Sequence, residues 1–266
     1  MLFAGVTASE ITRICITHFH GDHCLGVPGV LQRMSLDRVP HVVDVCYPAE
    51  GEEVFARLRH ASLFRDMLHL RERPVGGGDA ITGISSFRLE ARALSHGVPT
   101  VGYRLIEPDG RRMLPEQLAA RGISGPDIGR LQREGRLVAD GQLVTVDQVS
   151  EPKPGQRFAF VMDTRLCDAA FALADQADML VCESTFADAE AGLAREYGHL
   201  TAGQAGQIAA ESGVRRLVLT HFSQRYESEN GDRLARQAAS VFAGEVVLAR
   251  DLEHVPVPPR RLSADR

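Results

Sequence analysis

Four metal-ligand side chains fall within six consecutive positions in Thr17-His18-Phe19-His20-Gly21-Asp22-His23. Directly after a strand, such a loop can turn His18 and His20 toward one point and Asp22 with His23 toward a neighbouring point, so one loop can serve two metal ions. Gly21 permits the tight backbone this requires. Imidazole with carboxylate suits zinc, with manganese or iron as alternative occupants. One histidine here would more often be a surface or satisfied core residue, but four donors at this spacing are not explained that way. Three further donors each follow an apolar run of their own: His96, Asp163 and His221. Converging on one rim of a sheet, they would give His18, His20 and His96 to one ion, Asp22, His23 and His221 to the other, and Asp163 as a bridge. Two ions about 3.5 to 4 Å apart can share a hydroxide and stabilise the attacking and leaving oxygens of an in-line displacement, which favours phosphate esters. His199 stands before a capped helix, where it could project toward such a site or serve as a cap, and position alone leaves both open. His41, His60, His69 and His254 have no companion ligands and read as structural or surface residues.

The elements that must position these donors are legible as strands that stop at them. Residues 12–17 alternate as a half-buried strand and meet His18, and residues 86–93 run on to His96. Residues 158–162 end at Asp163 and residues 216–220 end at His221, both as buried strands. Helices are expected at 169–177, 202–212 and 234–242, with strands at 179–182 and 246–248. Thr201 with Gln204 forms a capping box for the helix at 202–212, and Gly213 is placed to end it. The alternation makes an α/β chain. Residues 108–141, rich in Gly, Pro and Arg with weak periodicity, read as an excursion from the core, and the tail from His254 onward as frayed.

The chain has 266 residues, 44% hydrophobic and 24% charged, proportions that exclude disorder, collagen and coiled coil. No apolar stretch approaches the roughly 18 to 20 residues needed to cross a bilayer and no signal peptide is visible, so no membrane partner is expected. The five cysteines are scattered and odd in number, which reads as reduced, mostly buried thiols and a cytoplasmic protein. A net charge of −5 excludes a uniformly basic coat for nucleic acid, so any such partner needs a local patch. Between Arg111 and Arg136 six arginines stand against Glu116, Asp127 and Glu134.

These blocks resemble the metallo-β-lactamase superfamily and, within it, the ribonuclease Z family of tRNA 3′ endonucleases. The resemblance covers nearly the whole chain. Thr17–His23 is similar to the superfamily signature, and Ser95-His96-Gly97 with Gly102-Tyr103-Arg104 to the next block. Met162-Asp163-Thr164-Arg165 resembles the bridging-aspartate block, and Leu219–Tyr226 the narrower final histidine block. The resemblance implies an α/β/β/α sandwich in a single domain, 1–266, with a flexible arm inserted at 108–141 that binds the tRNA elbow. It implies two zinc ions per subunit, with manganese as the alternative, a homodimer, and hydrolysis of precursor tRNA by metal hydroxide to leave a tRNA 3′ hydroxyl and a 5′-phosphorylated trailer.

Roles follow from the same likeness. Asp22 would be both ligand and base, His199 would assist departure of the 3′ oxygen, and Glu183 would support His199. Arg111, Arg112, Arg121, Arg130 and Arg133 on the arm, with Lys153 in the loop 151–156, would contact the tRNA. Cys182 occupies a place where the family commonly has His. The family also carries strands ahead of the first metal motif, whereas this chain reaches His18 almost at once, so those N-terminal strands are expected to be absent and apolar groups with a strand edge exposed. Two rival expectations stand beside the nuclease: a hydrolase of a small phosphodiester, sulfate ester or thioester, and a truncated inactive form.

Overall fold

The structure, a computed structural model, describes residues 2–78, 80–81, 87–229 and 231–260. It divides into one unit of residues 1–106 and 157–258 and a second of residues 107–156 and 259–266. The first unit opens with β1 (Arg13–Cys15), β2 (Val42–Pro48) and β3 (His69–Val75), parallel in the order β1-β2-β3 with Cys15 opposite Cys46. Between β1 and β2 lie the single turn α1 (Gly21–Cys24) and α2 (Val27–Leu36), and α3 (Glu52–Arg59) follows β2. Alternation along β2 sends Val43, Val45 and Tyr47 to one face, where they pack on Leu31 and Met34 of α2 and Phe55 of α3. Its other face carries Cys46 and Asp44. Asp44 is buried and paired with Arg71 at 2.5 Å, Arg73 at 2.8 Å and Arg13 at 3.4 Å.

A second sheet begins with β4 (Ala80–Ile81), β5 (Arg88–Ala93) and β6 (Val101–Ile106). The strand expected from residue 86 starts at Arg88, and Ser86 lies outside the described residues. After Ile106 the chain enters the second unit: β7 (Gly110–Met113), α4 (Pro115–Ala119), α5 (Pro126–Glu134), the hairpin β8 (Arg136–Ala139) and β9 (Gln142–Thr145), and β10 (Ser150–Lys153), antiparallel to β7. Weak periodicity at 108–141 conceals two helices. Each is too short for a repeat to show, and α5 is bounded by Pro126 in its first turn and by Gly135 at φ +75° past its end. Leu118, Ile123, Leu131, Leu137, Val144 and Val149 give this unit a small core of its own. The tail is tied down as far as Arg260, which pairs with Glu107 within the same unit; residues 261–266 lie outside the described ones.

Returning at Arg157, the first unit adds β11 (Arg157–Val161), α6 (Asp168–Ala174), β12 (Met179–Glu183), α7 (Ala191–Tyr197), α8 (Ala202–Glu211), β13 (Arg216–Thr220), α9 (Asp232–Val241) and β14 (Glu245–Leu248). The sheet order is β14-β13-β12-β11-β6-β5-β4, parallel from β11 to β14 and antiparallel from β11 through β6 to β4. Thr201 and Gln204 close the expected capping box on α8, and Gly213 follows at φ +65°. Leu173 of α6, Ile208 of α8 and Ala238 of α9 cover one face through Leu180, Leu217 and Leu219. On the opposite face, Leu89, Ala91 and Tyr103 pack on Cys46 and Val75 of the first sheet. Helices therefore flank two face-to-face sheets, the α/β/β/α sandwich that the family resemblance implies. No helix among the described residues is long and apolar enough to cross a membrane.

Candidate metal centre

The first ligand loop begins where the chain passes from one sheet to the other. β1 is shorter than the alternation at 12–17 suggests: Ile16 still donates to the Cys46 carbonyl, but the next carbonyl, that of Thr17, accepts from Val101 of the second sheet. His18 thus starts a loop pinned at the seam. Phe19 then packs so tightly on Gly51 that a Cβ there would stand 1.9 Å from its ring. With Phe19 held in the outer core, its neighbours His18 and His20 face the opposite way, toward the ends of β5, β11 and β13. The loop after each of those strands delivers one donor. Asp163 at φ +30° and His221 at φ +59° are non-glycine residues in left-handed backbone, a conformation that costs on the order of 1–3 kcal/mol and gathers at functional sites.

All seven candidate ligands meet. His18, His20, His96 and Asp163 present donor atoms within 4.8 Å of one another, as do Asp22, His23 and His221. Asp163 stands between the groups: its Oδ2 is 3.4 Å from His18 Nε2, 3.7 Å from His96 Nε2 and 3.4 Å from His23 Nε2, and its Oδ1 is 3.4 Å from His221 Nε2. His96 Nε2 faces His20 Nδ1 at 3.2 Å, and His23 Nε2 faces His221 Nε2 at 3.2 Å. Outer hydrogen bonds select which ring nitrogens turn inward. His18 Nδ1 donates to the Thr17 hydroxyl at 3.1 Å, His96 Nδ1 to the Gly198 carbonyl at 2.8 Å, and His221 Nδ1 to the Thr185 hydroxyl at 2.8 Å. Each leaves Nε2 with its lone pair directed into the cluster, the tautomer a metal requires.

Two inward atoms settle whether a cation fits. His18 Nε2 and Asp163 Oδ1 are buried with no hydrogen-bond partner. Unpaired buried acceptors cost about 1–3 kcal/mol each, so a site that orients several of them at one point is built for a cation. Burial pushes His18 down to about 3, and its histidine neighbours add to the fall against the opposing Asp163. Burial also lowers His96, against its bond to Gly198. For Asp163, burial favours the neutral acid, but His23 and His221 hold its carboxyl well below the usual carboxylate range. Imidazoles around an ionised carboxylate form the donor set of a divalent ion such as zinc.

His199 joins this rim, its donor within 4.8 Å of those of Asp163 and His221. Its Nδ1 donates to Glu183 Oε1 at 3.1 Å, and this carboxylate raises the histidine above its ordinary value despite burial. Sequence reasoning missed two groups that complete the support. Thr164 N–H donates to Glu183 Oε1 at 2.8 Å, while the Thr185 hydroxyl donates to Glu183 Oε2 at 2.6 Å and accepts from His221. One buried carboxylate therefore orients His199 directly and His221 through a hydroxyl. The only sequence signal for Thr185 was its place two residues beyond Glu183. Cys182, the departure from the family pattern, is fully buried on the helix-facing side among Leu217, Leu219 and Ala205, away from the carboxylate.

The remaining candidates all lie in the second unit. Arg111 pairs with Asp147 at 2.7 Å, Arg112 with Glu151 at 2.5 Å and Arg130 with Asp127 at 3.7 Å. Arg121 bonds to Gln117, whereas Arg133 and Lys153 are exposed without an ion pair among the described residues.

Comparison with known proteins agrees with this geometry. The family model for the metallo-beta-lactamase superfamily matches residues 1–144, and that for a beta-lactamase superfamily domain matches residues 143–222. A ribonuclease Z of Nocardia farcinica is 59% identical over 98% of this chain and 85% of its own length. That of Streptomyces coelicolor is 56% identical over the same shares. Human tRNase Z, short form, shares the fold with a TM-score of 0.65 and 23% identity over 96% of this chain and 82% of its own. The chain belongs to the ribonuclease Z family of the metallo-β-lactamase superfamily.

Proposed function

We propose that this chain is the metal-dependent endoribonuclease that removes the 3′ trailer from precursor tRNA. The observation that carries the reading is the buried pair of orphaned acceptors, His18 Nε2 and Asp163 Oδ1, at the centre of seven converging donors. His18, His20 and His96 would hold one zinc ion, Asp22, His23 and His221 a second, and Asp163 would bridge them. When bound, the ions supply a nucleophilic water at neutral pH and charge neutralisation at the phosphate. Asp22 is more than half exposed, with Oδ2 3.2 Å from His23, and accepts the proton of the attacking water. His199, whose pKa the Glu183 carboxylate raises, gives a proton to the departing 3′ oxygen. The new P–O bond forms to water as the P–O3′ bond breaks, leaving a tRNA 3′ hydroxyl and a trailer with a 5′ phosphate.

The second unit is the proposed tRNA-binding arm, with Arg111, Arg112, Arg121, Arg130, Arg133 and Lys153 as its cations, in a cytoplasmic homodimer. Its independent core supports a removable module, and free thiols at all five cysteines suit a reducing compartment. Deleting residues 111–136 should lower precursor-tRNA cleavage by about two orders of magnitude while sparing bis-(p-nitrophenyl) phosphate, because phosphate contacts dominate RNA affinity. Equal loss on both substrates refutes the division of labour. Full activity on the small diester without any on precursor tRNA in the intact zinc enzyme favours a small-ester hydrolase.

A further inference from the structure

Arg165 lies on the rim of the metal centre, two residues beyond Asp163, with no role in holding the ions. Its backbone N–H donates to the Ser95 carbonyl at 2.8 Å, beside His96, and its Nε donates to the Arg195 carbonyl at 2.9 Å in the last turn of α7. The guanidinium is thus laid along the segment that ends in His199. At Gly198, where φ is +80°, an added Cβ would stand 2.8 Å from His96 Nδ1 and 3.4 Å from Arg165 Nη1, so the cation and the ligand ring flank one glycine. Arg165 is half-buried, and its terminal nitrogens make no hydrogen bond or ion pair among the described residues. A guanidinium anchored through Nε presents Nη1 and Nη2 as a fork that matches two phosphate oxygens. On the same turn Tyr197 is 59% exposed and Arg195 is also exposed.

We infer that this rim is a binding site for single-stranded RNA beside the scissile bond. Arg165 takes a backbone phosphate next to the one cleaved, and Tyr197 stacks on the adjoining base. The inference rests on the nuclease reading, and it assigns specificity to the first unit rather than to the arm. Aromatic stacking accepts any base, so the site grips an unpaired strand without reading its sequence.

The test measures binding of a short single-stranded RNA to the zinc-loaded protein across a salt series, with precursor-tRNA cleavage by wild type run alongside. Arg165→Ala should reduce affinity about tenfold and lower the slope of log Kd against log salt by about 0.7, the loss of one phosphate contact on a single strand. Arg165→Lys should keep most of the slope and regain only part of the affinity, since a point charge cannot form the fork. Tyr197→Ala should weaken binding about fivefold or more at unchanged slope, and Tyr197→Phe should restore it. An unchanged slope in Arg165→Ala, with or without loss of zinc, overturns the inference and leaves Arg165 as a strut for α7. If wild type fails to cut precursor tRNA yet binds RNA with an Arg165-dependent slope, the tRNA reading fails and the RNA rim stands.

Discussion

Two aspartates of this fold are buried to the same degree and both have depressed carboxyls, yet they do opposite things. Asp44 is 4% exposed and Asp163 is 2% exposed. Around Asp44 stand the guanidiniums of Arg71, Arg73 and Arg13, permanently charged and donating to its oxygens. Hydrogen bonds from Arg71 and Arg73 pull its carboxyl far below the usual range against the opposing effect of burial. Both oxygens of that carboxylate are satisfied by protein atoms alone, although Arg13 Nε is itself left without a partner. Around Asp163 stand imidazoles whose outer nitrogens are already committed to Thr17, Gly198 and Thr185, so lone pairs face inward and Oδ1 is left unbonded. Burial with a depressed pKa does not by itself mark a functional carboxylate. What distinguishes Asp163 is that its surroundings lack a cation.

The comparison is broken most directly at its ends. Asp163→Ala or His20→Ala in the metal-loaded enzyme should reduce turnover by roughly a thousandfold or more and lower its metal content, read by metal analysis. A chelator should lower the melting temperature of wild type, because an ion that binds only the folded chain stabilises it, and should change the Asp163→Ala variant far less. Normal metal content and rate in either variant would sink the assignment. Asp44→Asn should instead leave metal content intact and destabilise the fold by about 3 kcal/mol at neutral pH, since the guanidiniums lose a buried partner. The folded carboxyl is depressed, so its contribution is fully present above an ordinary carboxylate value of about 3.9 and is lost as pH falls below that. Wild type and Asp44→Asn should therefore converge in urea stability on acidification; a gap that persists at low pH would show that the ion pairs are not its source.

How much of this was legible without coordinates follows from the same contrast. Ligand-type residues at the ends of apolar runs announce themselves, because a strand must end somewhere and His or Asp there needs a reason. The α/β alternation was legible for the same cause, since β11, β12 and β13 are short, partly or fully buried strands separated by helices, one of them capped at Thr201, whereas the sandwich was implied only by the likeness to the superfamily. Asp44 was invisible: its partners Arg71 and Arg73 lie in β3, and only the parallel pairing of β2 with β3 sets them opposite one another. Thr185 was hidden for a related reason. A hydroxyl that serves two buried groups looks like any other threonine until the ends of β12 and β13 are side by side. Helices α4 and α5 escaped because a few residues of helix contain too few turns to establish a period.

A weaker effect should separate Glu183 from the ligands it supports. Glu183→Gln keeps shape but removes the charge that raises the pKa of His199, and Thr185→Val removes the acceptor for His221 Nδ1. Outer partners of this kind are worth about 10- to 100-fold in affinity or rate. Thr185→Val should accordingly weaken zinc retention in a competition assay by that factor. Glu183→Gln should lower the rate more than it lowers zinc affinity. The sharper readout is the leaving group: a diester that releases a good leaving group such as p-nitrophenolate needs no proton from His199. Glu183→Gln should thus lose more activity on RNA than on bis-(p-nitrophenyl) phosphate. Equal losses would place Glu183 with the metal rather than with His199.

The smallest expected effects lie on the second unit, the proposed arm, and they extend the contrast between completed and uncompleted charge to its surface. Arg112 is paired with Glu151, and a phosphate must displace that carboxylate to reach it. Arg133 and Lys153 have no such competitor among the described residues and can accept a phosphate directly. Each unpaired cation that contacts duplex RNA should contribute on the order of 0.9 to the salt slope, by analogy with double-stranded DNA. Arg133→Ala and Lys153→Ala should then each lower the slope of precursor-tRNA binding by about that amount, with a few-fold loss of affinity. Arg112→Ala should lower it by less, because the variant frees Glu151 at the same time as it removes the cation. Equal slopes for Arg112→Ala and Arg133→Ala would mean that an exposed ion pair at 2.5 Å does not restrain its arginine. That outcome accords with the small net value of surface pairs, near 0–1 kcal/mol, and would confine the rule of the uncompleted cation to buried sites.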